Sequence, residues 1–144
     1  MPLLSSASER SAVLEKLPLF VGLSQADLGR ISRLVKEVEV PAGRPVAAAG
    51  EAGRELFVIV DGQAMVTTRR GRRVRLGPGD FFGEMSLIDG EPRSASVEAA
   101  TPMRLLVLGY REFWQLLDES LPIVRRIMRT LSRRLRQAEK SAVA

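Results

Sequence analysis

The sequence predicts an α+β domain, mainly β, with helices at both ends and a set of short strands between them. Three observations carry this. Apolar residues recur at helical spacing in the first 36 residues and again after residue 109. Nine of the twelve glycines fall between Gly43 and Gly90. Between those glycines lie short β-branched runs, "LFVIV", "AMVTT" and "RVRL". Short strands punctuated by glycine turns at this spacing argue for a sandwich or a barrel.

The elements follow in order. From Ser8 to Phe20, Val13, Leu14, Leu17 and Phe20 give a helical rhythm that ends near Pro18. Ser24 opens a second helix as its N-cap, with Asp27 three residues on. Leu28, Ile31, Leu34 and Val35 form the apolar stripe of that helix. At "KEVEVPAG" the rhythm changes to alternation, so a strand begins. "RRGRR" at 69–73 is expected to be a hairpin turn centred on Gly71. "SASVEA" and "MRLLVL" add two strands. "YREFWQLLDES" returns to helix and places Tyr110, Phe113, Trp114 and Leu117 on one face. Pro122 suits the first turn of a last helix. There Ile123, Val124, Ile127, Met128, Leu131, Leu135 and Ala138 form a continuous stripe, with Arg125, Arg126, Arg129, Arg133 and Arg136 on the rest of the surface.

Bulk properties narrow the functions. The 144 residues have the size of one domain, able to bury roughly 68–70% of its unfolded surface. Apolar content is 45% and charged content 27%, ordinary for a globular chain. There is no cysteine and no histidine. Disulfides, thiolate metal sites and a Ser-His-Asp triad are thereby excluded within these residues. No apolar run approaches the ~18 residues that span a bilayer. The N-terminus lacks the pattern of a signal peptide, so the expected location is the cytoplasm. The net charge of +5 permits a nucleic-acid role. The arginine clusters lack interleaved aromatics, which disfavours it.

The chemistry concentrates in "DFFGEMSLIDGEPRSASVEA". Gly83 is expected at a strand end, with Glu84 to Leu87 in a single helical turn. A helix N-terminus exposes unpartnered N–H groups and partial positive charge, which suit an anion. Gly83 permits close approach. Glu84 offers acceptors for hydroxyl groups such as those of a ribose. Arg93 offers a planar fork that matches phosphate. Ser94 adds a hydroxyl, and the backbone near Ala95 adds N–H groups. A sugar phosphate fits this set. The alternative is structural: Glu84 caps the helix and pairs with Arg93.

These residues resemble the phosphate-binding cassette of the cyclic nucleotide-binding domain family, in its catabolite-activator-like branch. The family pattern is Phe-Gly-Glu-apolar-small-Leu, a short loop, then Pro-Arg-x-Ala and a strand, and all of it is present. "GEAGRELFVIVDGQAMV" and "GPGDFFGE" resemble further parts of the family's sheet, so the resemblance covers nearly the whole chain.

It implies an eight-stranded antiparallel jelly-roll or barrel, flanked by N-terminal helices and two C-terminal helices. The expected division is helices in 1–36, a β-roll in 37–109 with its cassette in 81–97, and helices in 110–141. It implies cAMP or cGMP as ligand and no other cofactor. Glu84 is expected to accept from the ribose 2′-hydroxyl. Arg93, Ser94 and the N–H groups near Met85 and Ser86 and of Ala95 are expected around the phosphate, with Gly83 allowing the close approach. Val66 and Val74 are expected beside the purine, with Arg134 reaching it from the last helix. In place of a Thr-Ser pair that follows that arginine in the branch stand Gln137, Ala138 and Glu139. The ligand expectation leans to cAMP and leaves cGMP open.

The resemblance further implies no catalysis, and the residues offer no nucleophile–base pair. Without nucleotide, Glu84 and Arg93 are expected to approach each other. The last helix is expected to move with the ligand and to be a candidate homodimer seam. The sequence ends at Ala144 with no DNA-reading domain. The expectation is a sensor module or a regulatory part of a larger protein, with an effector left open. A degenerate, ligand-independent interaction module is the remaining alternative.

Overall fold

The computed structural model describes residues 7–143, with side chains over 9–140. Residues 1–6 of the expected N-terminal helical part lie outside the described residues. Helix α1 spans Ala7–Leu14 and α2 spans Gln25–Leu34. The first helix stops before the expected Pro18 boundary. Pro18 has no N–H and disfavours helical backbone at the residue before it. Residues 15–22 instead run through turns, closed by Leu17 N–H to the Leu14 carbonyl at 3.0 Å and Phe20 N–H to the Leu17 carbonyl at 2.9 Å. Leu17, Leu19 and Phe20 are buried there all the same. Ser24 caps α2 as expected, its hydroxyl accepting from Asp27 N–H at 3.1 Å.

Eight strands follow: β1 Lys36–Val40, β2 Pro45–Ala47, β3 Glu55–Asp61, β4 Ala64–Thr68, β5 Arg73–Leu76, β6 Phe81–Phe82, β7 Ala95–Ala99 and β8 Met103–Gly109. They form two antiparallel four-stranded sheets, ordered β1-β8-β3-β6 and β2-β7-β4-β5. The jelly-roll expectation holds, in its sandwich form rather than as a closed barrel. Between β6 and β7 lies the short helix α3, Glu84–Asp89. Two helices close the chain, α4 Tyr110–Glu119 and α5 Leu121–Val143.

The molecule has three layers, and the strand sequences record them. β3 and β8 are buried along most of their length because their sheet is covered twice. Leu56, Val58, Phe81, Leu106 and Leu108 pack with Leu14, Phe20, Ile31, Phe113 and Ile123 from the helices. Phe57, Ile59, Phe82, Leu105 and Val107 pack with Ala64, Val97 and Ala99 from the other sheet. β5 alternates exposed and half-buried residues because only one face of its sheet is covered.

The two C-terminal faces differ from their sequence patterns. In α4, Phe113 is fully buried, Trp114 and Leu117 are half-buried, and Tyr110 is exposed beneath the Arg54 guanidinium at 4.9 Å. Leu116 is buried in its place. In α5, Ile123 and Ile127 are buried, whereas Met128, Leu135 and Ala138 are exposed. Ile123, Ile127 and Leu131 face the core and Arg134 reaches β6, while Met128 and Leu135 lie on the adjoining side of the helix, so only one side of the stripe is covered.

Candidate functional site

The β6–α3–β7 segment is built to hold two opposite charges out of water, each on its own supports. Gly83 caps α3 in the left-handed region, at φ 92°. A Cβ added there would lie 2.6 Å from Arg93 Nη1 and 2.7 Å from the Glu55 carbonyl oxygen. Glycine therefore serves twice, for the backbone turn and for the close approach. α3 extends to Asp89, longer than the single turn expected, and ends on Gly90, whose N–H donates to the Ser86 carbonyl.

Glu84, the first residue of α3, is only 4% exposed. Its Oε1 accepts from Arg134 Nη1 at 2.9 Å. Arg134 Nη2 also donates to the Phe81 carbonyl at 2.5 Å, and the guanidinium lies 4.7 Å over the Phe81 ring. Burial pushes the Glu84 carboxyl above the usual range, and the Arg134 charge offsets part of that rise.

Arg93 is 7% exposed. It is fixed by backbone rather than by an acid. Nη1 donates to the Gly83 carbonyl at 2.9 Å and Nη2 to the Glu55 carbonyl at 3.1 Å. Its own N–H donates to the Glu51 carbonyl at 2.7 Å, and its carbonyl accepts from Gly50 N–H at 2.9 Å. The Phe57 ring lies 5.7 Å from the guanidinium carbon. Gly53 completes the socket, since a Cβ there would fall 2.3 Å from Arg93 Nε. Burial lowers the Arg93 pKa, and the Glu55 and Glu84 charges oppose that.

The expectation that Glu84 and Arg93 approach each other is overturned. The buried ion pair is Glu84–Arg134, fifty residues apart in sequence. Arg93 is already engaged by two carbonyl groups, so it does not turn to the carboxylate. Arg134 is thereby brought to the carboxylate end of the site. Its neighbour Arg133 is exposed and donates to Thr130.

The remaining expected site residues divide. Ser86 is buried in α3, while Met85 and Ser94 are exposed and joined by a 3.5 Å contact from Ser94 Oγ to Met85 Sδ. Ala95 begins β7, half-buried. Val66 and Val74 are direct cross-strand partners on β4 and β5, and Val66 packs on the core between the sheets. A cavity of about 230 Å³ opens beside Arg93, between Val46, Ala48, Glu51, Glu55 and Phe57. Of the ten expected site residues only Arg93 lines it. Among the described residues no cluster of His, Cys, Asp or Glu is placed to hold a metal ion.

Sequence reasoning missed Gly53, Glu55 and Phe57 as the socket of Arg93, and Phe81 and Trp114 as supports. Trp114 Nε1 donates to the Leu87 carbonyl at 3.1 Å, tying α4 to α3. The glycines of "GEAGRE" were the one available signal of a close backbone approach.

Comparison with known proteins agrees with this architecture. The family model described as "Cyclic nucleotide-binding domain" matches residues 37–120. A cyclic nucleotide-gated potassium channel of Mesorhizobium japonicum is 44% identical over 126 residues, 88% of this chain and 35% of the channel. The crystal structure of the Thermus thermophilus catabolite activator protein superposes with a TM-score of 0.76 at 31% identity, covering 87% of this chain and 61% of that one. The regulatory subunit of a cAMP-independent protein kinase A from Trypanosoma brucei superposes with a TM-score of 0.82 at 24% identity, covering 96% of this chain and 51% of that one. The chain thus spans between about a third and three fifths of the length of these relatives.

Proposed function

The chain belongs to the cyclic nucleotide-binding domain family and is a regulatory domain of that kind; from that premise we propose that it binds a cyclic purine nucleotide across α3, with ribose at Glu84 and phosphate at Arg93. The observation that carries this reading is the separate anchoring of the two charges. A guanidinium has five N–H donors. In Arg93 the two carbonyl bonds fix its plane and leave further donors for a phosphate. In this reading Met85, Ser86, Ser94 and Ala95 add their groups to the phosphate, and Gly83, against Arg93, permits its close approach. Val66 and Val74 supply apolar surface for the purine.

Arg134 gives the site its output. It connects α5 to the carboxylate that would accept the ribose, so a ligand at Glu84 has differential contact with α5. A shift of the C-terminal helices requires such a difference. The ligand is cAMP in the first instance, with cGMP as the alternative, and no other cofactor takes part. The domain is not catalytic. It comprises residues 1–144 and passes nucleotide occupancy to an effector domain or protein on the cytoplasmic side. Among the described residues no helix is long and apolar enough to cross a membrane. Attachment to a membrane protein, as in the channel relative, is one setting for it.

A second copy of the chain is the proposed partner of α5. Leu121, Met128 and Leu135 are 57%, 63% and 61% exposed and lie seven residues apart, the repeat of a helix–helix seam.

Calorimetric titration with cAMP and with cGMP tests the central reading. A hydrogen bond to a charged group contributes about 1.5–3 kcal/mol, and tenfold in affinity is about 1.4 kcal/mol. Arg93→Ala should therefore weaken binding by at least about tenfold while the domain still melts cooperatively. Unchanged affinity would remove Arg93 from the site. Absence of binding to wild-type protein would favour a ligand-independent interaction module.

A further inference from the structure

The β4–β5 hairpin carries a charge that the nucleotide site does not use. From Arg69 to Arg75, five of seven residues are arginines, at 69, 70, 72, 73 and 75, and all five are exposed. Among the described residues, Arg75 alone of the five has a side-chain hydrogen bond, to Gln63 Oε1 at 2.6 Å, and none of the five joins an ion pair. Four of the forks are thus available to carboxylates from outside the domain, and Arg75 keeps the guanidinium donors that Gln63 does not take.

The backbone is open at the same place. β5 is the outermost strand of its sheet. Thr68 N–H donates to the Arg72 carbonyl, so 68 and 72 form a bonded pair at the end of the ladder. Bonded and non-bonded pairs alternate in an antiparallel ladder. Val74 and Leu76, opposite Val66 and Ala64, therefore point their N–H and C=O groups towards β4. Arg73 and Arg75 point theirs outwards, and outside the β4–β5 ladder neither makes a backbone hydrogen bond among the described residues. Each of these two positions offers a donor, an acceptor and a cationic side chain on one face. Two residues along a strand separate them by roughly 6.7 Å, the side-chain period of any extended chain.

We propose that the β5 edge is a docking site for an extended acidic segment of a partner protein, added as a fifth strand with its carboxylates against Arg73 and Arg75. The tip arginines Arg69, Arg70 and Arg72 extend the contact beyond the strand. Addition to a sheet edge uses main-chain bonds for affinity and alternate side chains for selection. The same charges repel a second copy of this edge and any basic strand. Nucleic acid and bilayers fit less well. Among the described residues the exposed large apolar ones are Val21, Val38, Met85, Ile88, Tyr110, Leu121, Met128 and Leu135, none of them on the hairpin. The hairpin therefore has nothing to stack on bases or to insert among lipids.

The test is fluorescence anisotropy with a short labelled peptide of alternating Glu and Thr, at near-physiological ionic strength. Wild-type protein is compared with Arg73→Glu/Arg75→Glu and with Arg125→Glu/Arg129→Glu. The second variant changes net charge equally on exposed positions of α5. Thermal melting and cyclic-nucleotide titration confirm that each variant is folded; should the glutamate variant of the edge not fold, Arg73→Gln/Arg75→Gln replaces it. The expected result is a loss of at least about tenfold in peptide affinity for the edge variant and less than about twofold for the α5 variant. Peptide binding should also slow hydrogen exchange of the Arg73 and Arg75 amides. Equal losses in the two variants, unchanged exchange at those amides, or no peptide binding would overturn the proposal. So would tighter binding of a DNA duplex or of phosphatidylserine vesicles through the same arginines.

Discussion

Glu84 is a carboxyl group taken out of water and paired directly with Arg134, with the Arg93 charge acting from further off. Its pKa is raised because burial outweighs the Arg134 charge. The native state then holds the Glu84 proton to higher pH than the unfolded chain does. Between the ordinary value of 4.5 and the raised one, the native state binds more protons, so this residue's contribution to stability falls as pH rises through that window. Glu84→Gln removes the titration. The melting temperature of wild-type protein should decline relative to Glu84→Gln as pH increases from below 4.5 towards neutrality. A difference that stays constant over that range would mean that burial does not govern the group. Arg134 matters for the same reason, since removing one partner of a buried pair leaves an uncompensated charge.

α3 works as an element because both its ends are fastened. At one end Gly83 presents its carbonyl to Arg93. At the other, Leu87 is buried in the helix-facing core and its carbonyl accepts from Trp114. α4 thus holds the turn that carries Glu84, and α5 holds Glu84 itself. Trp114→Phe keeps an aromatic ring but leaves the Leu87 carbonyl without its donor. The loss should be about 1 kcal/mol in thermal or denaturant unfolding, with faster hydrogen exchange in α3. Unfolding indistinguishable from wild type would show that this bond adds nothing to the helix's position.

At the scale of the molecule, the doubly covered sheet is the buried part and the far half of α5 is the exposed one. One side of α5 is used by the domain, through Ile123, Ile127 and the Arg134 contacts. The adjoining side carries Leu121, Met128 and Leu135 into solvent. A helix that is apolar beyond what its own domain covers is suited to a second helix. Met128→Glu should convert a sedimenting dimer to monomer without unfolding the domain. An unchanged sedimentation profile would place any self-association elsewhere.

What the sequence determined by itself was local. Helix at both ends, the Ser24 cap, the turn at Gly71 and the alternating strands follow from short-range sterics and periodicity, which act within a few residues. The motif from Phe82 to Ala95 was legible for the same reason, because glycine, acid, turn and arginine lie within one stretch of chain. The partners of those charges were not. Glu84 meets Arg134 across fifty residues, and Arg93 meets the Glu55 carbonyl across thirty-eight. Nothing in the spacing of "GEMSLIDGEPR" indicates that its acid and base face different supports. The division of the α5 stripe into a buried and an exposed side was likewise invisible, since periodicity reports an apolar face and not what covers it. Those pairings are set by how the helices pack on one sheet and how that sheet packs on the other, and only the tertiary structure decides them.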